Sequence, residues 1–330
     1  ARNPLRSSSF ARPHSGAYIV SSLYEMPVNK SSHDCVGGRE DDMTSIRDLS
    51  PFLELTKPRI VTMVLVSAAL GFSLAQGGVH DPGLLVWTLL GTAAVAGGSA
   101  ALNHYFEREV DAVMTRTRDR PLPSGSVRAS AAMSFGLSLV LSGLALLVVQ
   151  VNLLTAFLAL LTAFLYVVVY TPLKRVTWLN TSLGAIPGAL PPLGGWAAAT
   201  GELDAGAWAL FAILFAWQHP HFYAIAWMFR QDYLLGGMKM LPTLETDGRR
   251  TCRHILGFSL LLLAVSVLPT ILGISGRLYL VGAIILGLGL LAAGIALRLS
   301  PSDLSARRLL RASIVYLPLL FLLTIVDIGI

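Results

Sequence analysis

Nine apolar stretches, each near the length of a membrane crossing, leave this chain little room for any water-soluble architecture. They cover about 60–76, 84–106, 131–149, 152–170, 178–199, 206–228, 254–274, 278–298 and 308–327. A helix needs about 20 apolar residues to cross a hydrocarbon core of roughly 30 Å. A closed barrel would instead show alternating ten-residue strands, which these stretches do not. Charged residues are 13% of the chain, about half their share in soluble domains. The expected fold class is all-α: a polytopic membrane protein with nine transmembrane helices.

The distribution of charge gives the orientation. Loops after the second, fourth, sixth and eighth stretches hold sixteen Lys or Arg, whereas the opposite loops hold only Arg277. Basic loops stay on the cytoplasmic or matrix face, which puts the N-terminus there too. The net charge of +6 therefore follows the membrane and implies no nucleic-acid partner. Cys35 and Cys252 lie far apart and form neither a disulfide framework nor a metal pair.

Residues 1–50 stand apart as a disordered or non-native leader, and 51–330 form the transmembrane domain. The first 24 residues carry Arg2, Arg6 and Arg12 without an acid, the composition of a mitochondrial presequence. Met43 opens a compact run that would serve as a start. Lys57-Pro58-Arg59 begins the first stretch, where proline costs no hydrogen bond. Very short turns at 150–152 and 275–277 make antiparallel hairpins. The long connections after the second and sixth stretches both follow helices with polar last turns, a weak sign of internal duplication. GAIPGALPPLGGW, with Pro187, Pro191 and Pro192, reads either as a bent helix lining a pocket or as a packed kink.

The segment richest in chemistry begins with Asn103, Glu107 and Asp111. Residues four apart on a helix drift by about 40° per step, so the three share one face. Acidic residues at this depth mark a function unless they are compensated, and Mg²⁺ favours a few oxygen ligands together with substrate phosphates. Interfacial pairing with nearby arginines is the alternative. Arg116 and Arg120 follow at once, and Lys174-Arg175 close the fourth stretch; arginine forks suit phosphate oxygens. Arg128, Arg249 and Arg250 read as ordinary positive-inside residues, Asp119 as a loop residue, and Tyr170 as an interfacial anchor.

A second polar segment holds Gln218, His219, His221, Arg230, Asp232 and Tyr233. His219 and His221, two apart, point about 160° away from each other on a helix. One of them is free to be structural; His221 reads equally as a functional group or a packing residue.

The NHYFEREVD segment resembles the N-x-x-x-D/E-x-x-x-D signature of the UbiA superfamily of intramembrane prenyltransferases. DAVMTRTRDRPLPSG, YTPLKR and WQHPHFYAIAWMFRQDYLLGGMKMLP resemble its haem O synthase branch, over roughly Leu53 to the end of the chain. The resemblance implies a nine-helix bundle around a central cavity, with farnesyl diphosphate held by Mg²⁺ and haem B as acceptor. It implies haem O as product, for haem O and haem A biosynthesis, and an association with haem A synthase or terminal oxidase assembly. By position, Asn103, Glu107 and Asp111 match the metal–diphosphate motif. Arg116 and Arg120 match its basic extension, and Lys174 and Arg175 the diphosphate-facing pair. His221 stands where many relatives begin a second aspartate-rich motif, and Asp232 falls near that motif's end, with Arg230 close by. His221 would position haem or assist water addition.

Rival readings are a prenyltransferase for a quinone precursor or chlorophyll-type ring, and a membrane transporter. An aspartate would be usual at His221 in the first, and a transporter would place charges near mid-membrane rather than at one face. The expected location is a bacterial cell membrane, with the mitochondrial inner membrane as the alternative.

Overall fold

The computed structural model describes residues 49–245 and 247–328. The leader expected over 1–50 falls almost wholly outside them, as does Cys35. Every regular element among the described residues is helical. They run α1 Ser50–Leu55, α2 Pro58–Ala75, α3 Pro82–Val113 and α4 Ala129–Gln150. Next, α5 Leu153–Phe164 passes through a π-helical turn, Leu165–Tyr170, into α6 Thr171–Leu173. There follow α7 Asn180–Ala189, α8 Pro191–Thr200, α9 Ala205–Met228 and α10 Arg230–Leu235. The chain ends in α11 Arg249–Val265, α12 Leu268–Ile271, α13 Arg277–Leu299 and α14 Asp303–Ile328.

Seven segments among the described residues are long and apolar enough to cross a bilayer: α2, α3, α4, α5–α6, α11–α12, α13 and α14. The expected spans at 178–199 and 206–228 differ for two physical reasons. The first is broken at Leu190 into two ten-residue helices, each about 15 Å long. Pro187 and Pro191 remove the donors that would continue one ladder. The second, α9, has 24 residues but carries Gln218, His219 and His221 in its middle.

Lipid exposure shows in an inverted surface. Leu137, Leu141, Val148 and Val149 on α4, and Leu278, Val281, Ile285 and Leu288 on α13, are all exposed. Apolar patches this extensive on a monomer mark a surface that water does not face. The protein is a multi-pass membrane protein.

Interior contacts rely on small residues, as membrane helices do when no hydrophobic effect drives them together. Packing is densest between α3 and α4, and between α2 and α8. A Cβ on Gly195 would lie 1.8 Å from the Ala68 carbonyl oxygen, and one on Gly71 2.0 Å from that of Pro192. The proline- and glycine-rich segment is thus a close backbone crossing with α2. α9 is the centre of the second half, packed on α7, α11 and α14. Asn152 and Asp204 cap α5 and α9 by accepting backbone N–H bonds.

Candidate active site

The polar stripe stays on helix beyond its expected end at 106, because α3 continues to Val113. Asn103, Glu107 and Asp111 are all buried, at 1%, 7% and 1% exposure, and each is held by a cation from elsewhere in the chain. Lys57 Nζ donates to Asn103 Oδ1 at 2.7 Å. Lys174 Nζ donates to Glu107 Oε1 at 2.8 Å. Arg120 donates to both Asp111 oxygens at 3.0 Å, and Thr117 Oγ1 closes the turn on the Asp111 carbonyl at 2.9 Å.

Lys57, Glu107, Asp111, Arg120 and Lys174 line a cup of about 100 Å³ together with Met114, Arg116, Tyr170, Tyr233, Met238 and Met240, and Asn103 reaches it through Lys57. Four cations face two carboxylates there, so with Lys57 protonated the cup carries two excess positive charges. Arg116 packs its guanidinium 5.7 Å from the Phe229 ring centre and leaves Nε buried without a hydrogen-bond partner. Burial alone would lower the Lys174 pKa, but the Glu107 carboxylate outweighs it and holds that pKa above the ordinary lysine value. For Lys57 burial prevails, with Arg120 adding to it, and the pKa falls to about 7. The arrangement is an anion receptor with space for a small anionic head but not for a long chain beside it.

Residues 64–322 match the model of the UbiA prenyltransferase family. The chain belongs to that family. A relative from Solibacter usitatus, "Protoheme IX farnesyltransferase", is 46% identical over 84% of this chain and 98% of its own length. Another of the same name, from Salinibacter ruber, is 49% identical with the same coverage. Among solved structures, one concerning digeranylgeranylglyceryl phosphate synthase superposes with a TM-score of 0.73 at 19% identity, over 85% of this chain and 98% of the other. A UbiA homologue from Archaeoglobus fulgidus bound to GPP and Mg²⁺ gives 0.59 at 15% identity, over 85% of this chain and all of that one. The two superpositions show a UbiA fold.

As a member of this family, the protein gathers Glu107, Asp111, Arg116, Arg120 and Lys174 into one cup, with Asn103 behind it on Lys57. Five other residues singled out in the sequence lie outside its lining. Arg175 is exposed. Arg230 pairs with Asp303 at 3.3 Å, and Asp232 is half-buried on α10. His221 bonds Ser313 Oγ on α14 through Nδ1 at 2.9 Å and stacks on Trp217. His219 is satisfied at both nitrogens, by Ser182 Oγ and the Phe215 carbonyl, and lies flat on Phe258.

The donor set suits a hard divalent ion, being oxygen-only and on one face. Yet no group of three or more His, Cys, Asp or Glu side chains among the described residues is arranged as a ready metal site. The ligands that Asn103, Glu107 and Asp111 offer are occupied by Lys57, Lys174 and Arg120.

Three site residues escape a reading from motifs. Lys57, taken as a helix start, is the one non-glycine residue with positive φ among those described, at 52°. Pro58 disfavours the right-handed region for it, and the left-handed one costs roughly 1–2 kcal/mol; that strain aims its amine at Asn103. Thr171, released by the π turn, accepts from Asn103 Nδ2 at 3.0 Å and donates to the Tyr166 carbonyl. Asn180, fully buried, donates to the carbonyls of Thr177 and Lys239 and so ties the Lys174 loop to the Met238–Met240 segment. The K-P dipeptide beside a membrane span and the YTPLKR element that contains Thr171 are the signals that touched two of them, and neither gave the residue its role.

Proposed function

We propose that this protein transfers a farnesyl group from farnesyl diphosphate to a vinyl group of haem B, with addition of water, giving haem O. The observation that carries the reading is the 46% and 49% identity to relatives of that activity along 98% of their lengths. The cationic cup supplies the chemistry. Ionisation breaks the allylic C–O bond, and the electron pair leaves with the diphosphate. Arg116, Arg120, Lys174 and Lys57 are placed to take up that charge, where low polarity strengthens each contact. The vinyl π electrons then form the new C–C bond. Water adds at the porphyrin-side carbon and loses a proton, leaving a hydroxyethylfarnesyl group. Met114, Met238, Met240 and Tyr170 wall the cup and keep water from the allylic cation. Asn103, Glu107 and Asp111 would hold Mg²⁺, which supplies further positive charge to the leaving group when bound.

The same reading takes α7–α8 and α9 as two further crossings, for nine in all. It places the N-terminus and the cup on the cytoplasmic face of a bacterial cell membrane, and residues 51–330 as one transmembrane unit. Mass spectrometry of membranes given haem B, farnesyl diphosphate and Mg²⁺ tests it, with Glu107→Ala/Asp111→Ala beside the wild type. Haem O from the wild type alone supports it. Prenylation of a quinone precursor in its place would keep the family and overturn the substrate.

A further inference from the structure

A second hollow, of about 480 Å³, runs along one face of α11, is widely open, and is lined by Arg250, Arg253, His254, Gly257, Phe258 and Leu261. These residues fall on one helical stripe, and the volume lies within the roughly 300–1,000 Å³ of small-molecule sites. Its two ends differ in chemistry. Arg250 and Arg253 stand at the basic end, in the first turns of α11, where the helix dipole favours anions. Neither guanidinium has a carboxylate partner among the described residues. The nearby Glu245 directs its oxygens to the backbone N–H groups of Arg250 and Thr251, and Arg250 stacks over the Trp178 ring at 5.0 Å. The other end is flat and apolar: a Cβ on Gly257 would meet nothing within 4 Å, with Phe258 and Leu261 beside it.

Between them lies His254, partly buried. Its ring is held against Trp178 at 5.5 Å, Tyr223 at 5.9 Å and Phe258 at 6.4 Å. Its nitrogens make no hydrogen bond to any described residue. An imidazole fixed through its ring and free at its nitrogens is poised to ligate. Membrane orientation accounts for the arginines but not for that.

We propose that this groove docks the haem substrate, with His254 ligating the iron, Arg250 and Arg253 pairing the two propionates, and the macrocycle lying over Gly257, Phe258 and Leu261. Haem is an apolar plane with two carboxylates on one edge and an iron open to imidazole, the three features the groove complements in that order. Trp178, against which Arg250 and His254 pack, lies four residues beyond Lys174 on the same loop, which links the two sites along the chain. The inference rests on haem as the acceptor.

The test is titration of the full-length protein with haem B, in phosphatidylcholine nanodiscs so that no anionic lipid competes for the arginines. The Soret band is followed in the wild type, His254→Ala, His221→Ala and Arg250→Ala/Arg253→Ala. The wild type is expected to show a saturable histidine-ligated spectrum at one haem per chain. His254→Ala loses that signature, and His221→Ala keeps it. The double arginine variant binds about tenfold or more weakly, as loss of charge-assisted bonds implies, while pyrophosphate affinity at the cup stays unchanged. A signature kept in His254→Ala, or lost in His221→Ala alone, overturns the groove and leaves the activity standing. No haem binding by the wild type overturns both.

Discussion

Glu107→Gln removes one charge from a buried pair and leaves the other stranded. Lys174 and Glu107 are 2.8 Å apart, with side chains 13% and 9% exposed, so solvent screens them little. Breaking a buried pair from one side costs about 3–5 kcal/mol, because the remaining ion is desolvated and uncompensated. The lower end of that range sets the expectation, at about 3 kcal/mol, because a glutamine still offers Lys174 an amide oxygen. At about 2–4 °C per kcal/mol for a large domain, the ligand-free variant should melt about 6–12 °C below the wild type. Glu107→Gln/Lys174→Met removes both charges and should recover most of the loss, since replacing a whole buried pair is often close to neutral. Sodium pyrophosphate should stabilise Glu107→Gln more than the wild type, because it gives Lys174 a new partner. Thermal unfolding of detergent-solubilised protein, followed by tryptophan fluorescence, reads all three. An unchanged midpoint in Glu107→Gln, or a double variant as low as the sum of the single ones, refutes the reasoning.

Lys57→Met should weaken pyrophosphate binding about tenfold, the loss of one charge-assisted contact, measured by calorimetry. Gly195→Ala should destabilise by more than the roughly 1–3 kcal/mol of ordinary overpacking, because it meets backbone at Ala68; Gly289→Ala, with nothing near it, should melt like the wild type. Mg²⁺ alone should bind weakly, since each of the three ligand side chains is already held by a cation. Pyrophosphate should raise Mg²⁺ affinity and Mg²⁺ should raise pyrophosphate affinity by the same factor. Calorimetry showing tight Mg²⁺ binding without pyrophosphate would count against the occupied stripe.

How much of this was legible in the chain depends on how many elements each feature needs. Asn103, Glu107 and Asp111 need only one helix, and spacing by four suffices to align them. His219 and His221 also need one: their spacing by two predicts opposite faces, and they turn to Ser182 and Ser313 respectively. Lys57 and Asn180 act across elements, and nothing local says which loops meet at the cup. The prolines announced a bend, but the Gly71–Gly195 crossing that fixes it joins residues more than a hundred positions apart. Arg250 was absorbed into the charge asymmetry of the loops, a pattern that explains a residue's side of the membrane and is silent on what it touches. The chain also withheld how its acids are tolerated at depth. A divalent cation looked like the cheapest compensation for Glu107 and Asp111, but Lys174 and Arg120 already neutralise them, while Lys57 holds Asn103. Three ligands matched to three cations make a resting site that is stable without a metal. A diphosphate entering it would recruit the same lysines and arginine, and that would free oxygen ligands for a metal as the substrate arrives. On the proposed function, anion and metal would thereby be coupled through side chains that change partners, and the stripe that reads as a metal motif would work as an exchange.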